Sequence, residues 1–352
     1  DLHKTSFDPQ YADAIKSPLK AGEALLCVDA FALTANNITY GVAGDQIGYW
    51  QFFPQALPWG QIPVWGFGTI IASAVERLDV GQRFYGYYPM ASHLRVEPAK
   101  MSPHGFVCQA EHRCALPQAY NQYSLASPEL GFPPEEDRMR MLLNPLFTTA
   151  FLLAAQLKDA EYFSAQCVLL TSASSKTAMS LAYLLNRYHD VRVVGLTSKP
   201  NLDFVQSLGV YESVIAYEAL EQLSVESAAL IDIAGNAGVR ARLHRHFADQ
   251  LHHSSLVGIT HYQADPGERT PLPGAEPTPF FAPSQAEKMI KKDGQDQFRA
   301  ELAEQWAGFI VHADEWFDLK VVSDGAGLES VYRQVASNPS PTNGYLFERA
   351  SS

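Results

Sequence analysis

From about residue 141 onward, short uninterrupted apolar runs alternate with stretches of helical spacing. No other feature of the chain constrains its fold as strongly. The runs are Cys167–Thr171, Val191–Leu196, Ser213–Tyr217, Ala228–Ala234 and Ser254–Thr260. Between the first two, Ala178, Leu181, Ala182 and Leu185 fall at the spacing of one helix face. Pro200–Leu208 reads as a short helix closed by Gly209, and Val239–Leu251 as the helix between the last two runs. Leu142–Leu157 leads into the series, with Pro145 as a first-turn residue. A strand with no polar alternation is covered on both faces. The pattern therefore predicts an α/β region, a doubly wound parallel sheet over residues 141–309. Ligands of such sheets sit at the carboxyl ends of the strands, where the strand order reverses.

Residues 1–140 have a different rhythm. Ala24–Leu33, Val64–Val75, Gly81–Tyr88 and His93–Val96 read as strands bounded by Gly, Pro and Asn, as in a small antiparallel β-barrel. Residues 117–138 hold four prolines and an acidic cluster and read as a surface excursion. Residues 264–284 carry six prolines without periodicity, which makes them either a functional loop (a lid or an interface) or a mobile one. A helix over Ala286–Phe309, a strand near Leu319–Val322, a helix over Leu328–Val335 and a last strand, Gly344–Glu348, follow. Residues 310–352 are expected to return to the first domain.

Two domains suit 352 residues. The net charge of −12 lacks the basic footprint of a nucleic-acid partner and serves solubility. No run approaches the roughly 18 apolar residues of a membrane span, so no membrane partner is expected. The four cysteines form no Cys-x-x-Cys, which suits a reducing, cytoplasmic setting. No signal-peptide pattern opens the chain.

The first turn of the parallel sheet is the place for a phosphate loop. Here it reads Ser172-Ala173-Ser174-Ser175-Lys176-Thr177-Ala178, with no glycine. Glycines normally supply the tight turn and the close approach to a pyrophosphate. Hydroxyls of Ser172, Ser174, Ser175 and Thr177 and the charge of Lys176 are the available substitutes. A lysine in a first helical turn opposes the helix dipole, and an adjacent anion reverses that sign. The other reading is that Lys176 points into water and the loop is degenerate. The second run ends in Leu196-Thr197-Ser198-Lys199, and no acid follows until Asp203. An NAD site places a carboxylate here for the ribose hydroxyls. Ser198 and Lys199 suit a 2′-phosphate instead, so NADP(H) is the expected cofactor. Ser198 also stands where it can cap the helix that begins at Pro200.

Cys108, Glu111, His112 and Cys114 are the only tight group of ligand types, and Cys108-x5-Cys114 fits a tetrahedral metal poorly. No metal is expected. Cys27, inside an apolar strand, reads as core. His244, His246, His252 and His253 read as a solvated face.

The order of these parts resembles the medium-chain dehydrogenase/reductase superfamily, on its zinc-free quinone- and enoyl-reductase side. Glu23–Val42 is similar to that superfamily's first strand pair and substrate-side loop. Gly81-Gln82-Arg83-Phe84 resembles its Gly-Asp-Arg-Val turn, Thr149-Ala150-Phe151 its Thr-Ala-aromatic helix start, Val193–Gly209 its second Rossmann strand and helix, and Gly344–Phe347 its terminal strand. The Asn36–Pro54 segment and the Ser172–Thr177 loop resemble a divergent branch. The resemblance implies a GroES-like domain over 1–140, joined by 310–352, and a Rossmann domain over 141–309. It places Tyr217 near an adenine, Gly235 and Asn236 near a nicotinamide ribose, and Thr149, Gly258, Ile259 and Thr260 beside the nicotinamide. Asn37, Tyr40 and Tyr49 would face that ring, with Tyr40 or Tyr49 as donor to a substrate carbonyl. The competing reading is that these residues only line an apolar pocket with Trp50, Phe52 and Phe53. His261 and Tyr262 follow the fifth run. A homodimer through the Rossmann sheet edge is also implied. The expected function is an NADPH-dependent, zinc-independent reductase of a small-molecule enone, quinone or enoyl-type substrate. The alternative is a non-catalytic nucleotide-binding protein that kept the fold.

Overall fold

The computed structural model describes residues 2–6, 17–258, 271–337 and 339–350. The chain divides into two units, residues 1–142 with 317–352, and residues 143–316.

The first unit begins with β1 (Ala24–Leu33), a ten-residue strand with eight buried positions. It continues through β2 (Pro63–Ser73), β3 (Arg83–Pro89), β4 (His93–Val96), β5 (Pro98–Ser102), β6 (Gly105–Cys108) and β7 (Gln122–Leu125). The last strands of the chain, β14 (Asp318–Val322) and β15 (Asn343–Glu348), rejoin it. The sheet runs β14-β15-β1-β2-β3-β7-β6-β5, with β4 also on β1. Register shifts at Leu25/Leu26 and Val28/Ala30 bend β1 against β2, as bulges do in small barrels. Helix α1 (Ala35–Val42) follows β1 at once. The Thr34 backbone N–H donates to Asn37 Oδ1 at 2.7 Å and its hydroxyl accepts from the Asn36 N–H, a capping box that starts the helix.

The supposed excursion over 117–138 is partly built into this sheet. β7 pairs antiparallel with β3 and β6, and Tyr123 is fully buried. With only Tyr123 and Leu125 apolar, a four-residue strand leaves too little pattern to detect. Its prolines lie in the flanking turns.

Helix α2 (Asp137–Asp159) leads into the second unit. Residues 134–159 are apolar enough to cross a bilayer by composition, and 61% of their most apolar 18-residue stretch is buried, as in a core helix. The second unit holds β8 (Cys167–Thr171), α3 (Lys176–Tyr188), β9 (Arg192–Thr197), α4 (Leu202–Ser207), β10 (Ser213–Ala216), β11 (Ala228–Asp232), α5 (Ala237–Phe247), β12 (Leu251–Leu256) and β13 (Pro277–Pro279). All its strand pairs are parallel, in the order β10-β9-β8-β11-β12-β13. The chain reverses direction across the sheet between β8 and β11, so the carboxyl ends of these strands flank the switch point. On one face Leu169, Leu196, Leu230, Leu243 and Phe247 close a buried core. On the other, α3 meets α7 (Gln295–Ala313): Tyr183 and Phe309 rings lie 5.3 Å apart, and Phe309 stacks on Phe147 at 4.8 Å.

Two expectations change in this unit. The proline-rich segment contains an edge strand, β13; its residues 264–270 lie outside the described residues. The long helix after it is two helices, α6 (Ala282–Asp293) and α7, broken at Gly294 with φ +89°.

Between α2 and β8 the chain makes a left-handed turn. Glu161, Tyr162, Phe163 and Ser164 have φ of 48°, 51°, 57° and 57°. Left-handed backbone costs L-residues about 1–2 kcal/mol each, so the surroundings must hold it. The Tyr162 hydroxyl and His189 Nδ1 share a hydrogen bond at 2.7 Å. Phe163 lies flat on His253, centroids 3.7 Å apart, and the His252 ring donates to the Phe163 carbonyl at 3.1 Å.

Candidate functional site

The second unit's candidate site lies at the carboxyl ends of β8, β9 and β11. β8 delivers the chain to Ser172, whose φ of +52° is the left-handed conformation that glycine usually supplies. Its backbone N–H donates to the Tyr217 hydroxyl at 2.7 Å. The Ala173 N–H donates to the Leu196 carbonyl at 3.0 Å, and its own carbonyl accepts from the Tyr211 hydroxyl at 2.8 Å. Ser174 Oγ accepts from the Asn201 side-chain amide at 3.1 Å, which leaves the serine proton unspent. Ser175 caps α3: its hydroxyl accepts from the Ala178 N–H. The backbone N–H groups of Ser174 and Thr177 meet no protein acceptor among the described residues. Lys176 opens α3, and burial pushes its ammonium down to about 8.

At the end of β9, Ser198 is half-buried and its hydroxyl makes no cap, while Lys199 and Asp203 are exposed. The capping role open to Ser198 is therefore not used. At the end of β11, Asp232 is 1% exposed and fully bonded. Its Oδ1 accepts from the Thr171 hydroxyl at 2.8 Å and the Gly235 N–H at 3.0 Å, and its Oδ2 accepts from Arg240 Nη1 at 2.8 Å. Thr171 Oγ1 in turn accepts from the Ala234 N–H. The carboxylate thus ties β8, β11 and the turn into α5 together. Gly235 needs its φ of +64° for that turn. Gly258 packs so tightly that a Cβ would lie 1.9 Å from the Ile233 carbonyl oxygen. Thr149 is half-buried in α2 and its hydroxyl donates to the Pro145 carbonyl. Ile259, Thr260, His261 and Tyr262 lie outside the described residues.

The structure therefore joins Ser172, Ser174, Ser175 and Tyr217 in one bonded loop, and Gly235 to Thr171. Asp232, Arg240, Tyr211 and Asn201 were missed. A lone acid inside the apolar run Ala228–Ala234 was the available signal for Asp232, because a buried charge needs a partner. His244 also departs from expectation: it is fully buried. Its Nδ1 donates to the Pro273 carbonyl at 2.9 Å and its Nε2 accepts from the Ser254 hydroxyl. His246 donates to the Leu223 carbonyl at 2.6 Å. Only His244 is buried away from solvent, which helical spacing does not reveal; His246 and His252 are exposed, as expected.

In the first unit, Tyr40, Tyr49, Phe52, Trp65, Tyr87 and Tyr120 form an aromatic cluster. Tyr40 and Tyr49 rings are 4.7 Å apart, and Tyr87 and Tyr120 rings 4.9 Å. Tyr40 is 4% exposed; its hydroxyl oxygen accepts from Asn36 Nδ2 at 2.7 Å and Trp65 Nε1 at 3.0 Å. Tyr49 and Tyr120 hydroxyls share one hydrogen bond at 3.1 Å, so one of the two protons stays unspent. Burial raises the hydroxyl pKa of Tyr40 and Tyr49, which keeps both protonated donors at neutral pH. Asn37 is occupied at both ends, by the Thr34 N–H and by its own donation to the Pro63 carbonyl at 2.8 Å. Tyr120 was missed because it sits in the supposed surface excursion. Phe52 and Phe53 are buried and Trp50 is half-buried.

The cysteines stand apart from any such chemistry. Cys27 is half-buried, Cys108 and Cys167 are buried, and Cys114 is exposed. Among the described residues, no three His, Cys, Asp or Glu side chains converge as ligands.

Residues 31–340 match the family described as "Protein of unknown function (DUF2855)". No curated protein matches the sequence. Solved structures do. CurA from Vibrio vulnificus, in complex with NADPH, is 12% identical with a TM-score of 0.63, over 99% of this chain and 94% of its own. YhdH of E. coli K-12, with bound NADPH, is 15% identical with a TM-score of 0.56, over 98% and 95%. The quinone oxidoreductase from Coxiella burnetii is 15% identical with a TM-score of 0.51, over 94% and 93%. At such identities the likeness is one of fold. It is the expected fold class, a GroES-like antiparallel domain and a Rossmann parallel sheet.

Proposed function

The chain belongs to the DUF2855 family, and from that premise we propose that it is an NADPH-dependent, zinc-independent reductase of an activated double bond or quinone. The observation that carries the reading is the end of β9, where Ser198 and exposed Lys199 stand in place of a ribose-binding carboxylate. Two solved structures of the same fold hold NADPH, which supports the cofactor assignment. The second unit's loop fits an extended diphosphate. It offers the Ser174 and Thr177 N–H groups, the Ser174 hydroxyl and the Lys176 charge. Lys199 and Ser198 would hold the 2′-phosphate. Gly235 turns the backbone beside Asp232, Gly258 packs on the Ile233 carbonyl, and Thr149 would border the nicotinamide.

Bound NADPH supplies a hydride; the chain's residues orient, exclude water and hold protons. A conjugated carbonyl that accepts hydride develops negative charge on its oxygen. The unspent hydroxyl of the Tyr49–Tyr120 pair is the first unit's available donor for such an oxygen. Tyr40, polarised by two N–H donors, positions Tyr49, and Asn37 fixes the helix that carries Tyr40. The substrate is a small molecule, the setting cytoplasmic and the assembly a homodimer.

A second reading follows from the same cluster. Asn37 is bonded at both ends and the Tyr40 oxygen already accepts twice within the first unit, which favours a nucleotide-binding protein without turnover. Side-by-side calorimetric titration with NADPH and NADH, then NADPH oxidation over a panel of enones, quinones and enoyl thioesters, separates the two. Micromolar NADPH binding with turnover supports the reductase. Binding without turnover supports the second reading, and no binding of either nucleotide removes both.

A further inference from the structure

The loop after β8 has no glycine, yet its first residue adopts glycine's backbone. Ser172 holds φ +52°, a conformation that disfavours L-residues by roughly 1–2 kcal/mol. What holds it is external. The Tyr217 hydroxyl, just past β10, accepts the Ser172 N–H at 2.7 Å. Next to it, the Tyr211 hydroxyl donates to the Ala173 carbonyl at 2.8 Å. Gly195 in β9 leaves room for this arrangement, because a Cβ there would lie 2.9 Å from both Ala173 Cβ and the Tyr211 ring. Both tyrosines come from the chain on either side of β10, so a strand neighbour shapes the turn that a glycine-rich loop shapes for itself.

We propose that Tyr217 is a positioning residue for the diphosphate-binding loop. Its hydroxyl clamps Ser172 in the left-handed conformation and so aims the Ser174 and Thr177 N–H groups. This rests on the NADPH-binding reading above. It also gives Tyr217 a role different from lining an adenine pocket. Tyr217 is half-buried, and its hydroxyl is spent as an acceptor on the loop. Burial and the nearby Asp232 carboxylate push its pKa up to about 12, against the opposing effect of the Ser172 bond, so it remains a neutral hydroxyl in the working range.

The clamp predicts a specific rescue. Removing the hydroxyl frees Ser172 to leave the left-handed region, whereas glycine occupies that region without penalty. Calorimetry on the full chain, wild type, Y217F, S172G and the double variant, would use two probes. NADPH carries the diphosphate; adenosine 2′-monophosphate carries the adenosine and 2′-phosphate alone. Y217F is expected to weaken NADPH about tenfold, that is about 1.4 kcal/mol. It should leave adenosine 2′-monophosphate unchanged, and S172G in the Y217F background should restore most of the loss. An equal loss for both probes, unchanged NADPH binding in Y217F, or no rescue by S172G would overturn the clamp. If the wild type binds no NADPH, the cofactor reading fails separately, and the clamp is then decided by amide exchange. Faster exchange of the Ser172 N–H in Y217F sustains it, and unchanged exchange overturns it.

Discussion

Arg240 Nη1 donates to Asp232 Oδ2 at 2.8 Å, and Asp232 is 1% exposed while the Arg240 side chain is 18% exposed. The pair therefore closes the carboxyl end of β11 from the side, leaving Oδ1 for Thr171 and Gly235. Removing one partner of a buried pair strands the other charge, at a typical cost of 3–5 kcal/mol. Asp232→Asn should destabilise the second unit by about 3 kcal/mol in urea unfolding. A loss below about 1 kcal/mol would show that water already screens Arg240.

Lys199 decides between the two nicotinamide nucleotides. Lys199→Ala is expected to weaken NADPH at least about tenfold, the scale of one charge-assisted phosphate contact, and to leave NADH nearly unchanged. Equal losses for both nucleotides, read by titration, would place the lysine elsewhere.

Burial disfavours the charge of the Lys176 ammonium and pushes its pKa down to about 8. If it meets the diphosphate, binding requires the charged form, so NADPH affinity should fall as pH rises through about 8. A flat affinity from pH 7 to 9.5 would remove it from the site. Stability has the opposite slope. Between about 8 and the unfolded value of 10.5 the unfolded chain binds more protons, so this group makes the fold more stable as pH rises.

The tyrosine cluster is testable by single atoms. Tyr49→Phe and Tyr120→Phe should each lower kcat by about 100-fold, the lower range for a positioned proton donor, with NADPH affinity intact. Unchanged kcat in both variants would reduce the cluster to core packing.

The left-handed turn predicts acid sensitivity. His189 and His253 are pushed down to about 4, both chiefly by burial, with the Lys158 charge adding to the shift of His189. Between the unfolded value of 6.5 and about 4 the unfolded chain binds more protons than the folded one. Stability from these groups should therefore fall as pH drops through that window. His253→Phe, which keeps a ring on Phe163, should flatten part of this slope in pH-dependent melting. An unaltered slope would show that other groups carry it.

The parallel sheet was legible because buried strands leave uninterrupted apolar runs. Cys167–Thr171, buried throughout, has the predicted bounds. Elements with mixed patterns were not legible. β7 offers two apolar residues, and β13 is a strand of prolines, so neither carries a period. The phosphate loop was locatable by its place after β8 and before α3. Its shape was not, because Tyr211, Tyr217 and Asn201 reach it from 27 to 45 residues away. Local pattern registers neighbours along the chain, whereas hydrogen bonds across a sheet end join residues that share no spacing rule.

β13 sits at the outer edge of the second unit's sheet, Thr278 opposite Ser255, with the Phe280 N–H donating to the Leu256 carbonyl. Strand alternation then turns the nitrogens of Pro277 and Pro279 away from β12. Neither nitrogen bears a hydrogen, so Pro277 and Pro279 offer no donor to a further strand. A second copy meeting this rim cannot extend the ladder through these residues; side chains must hold it. At these two positions the sheet thus withholds, by its own covalent chemistry, the donors that strand addition on that side would use.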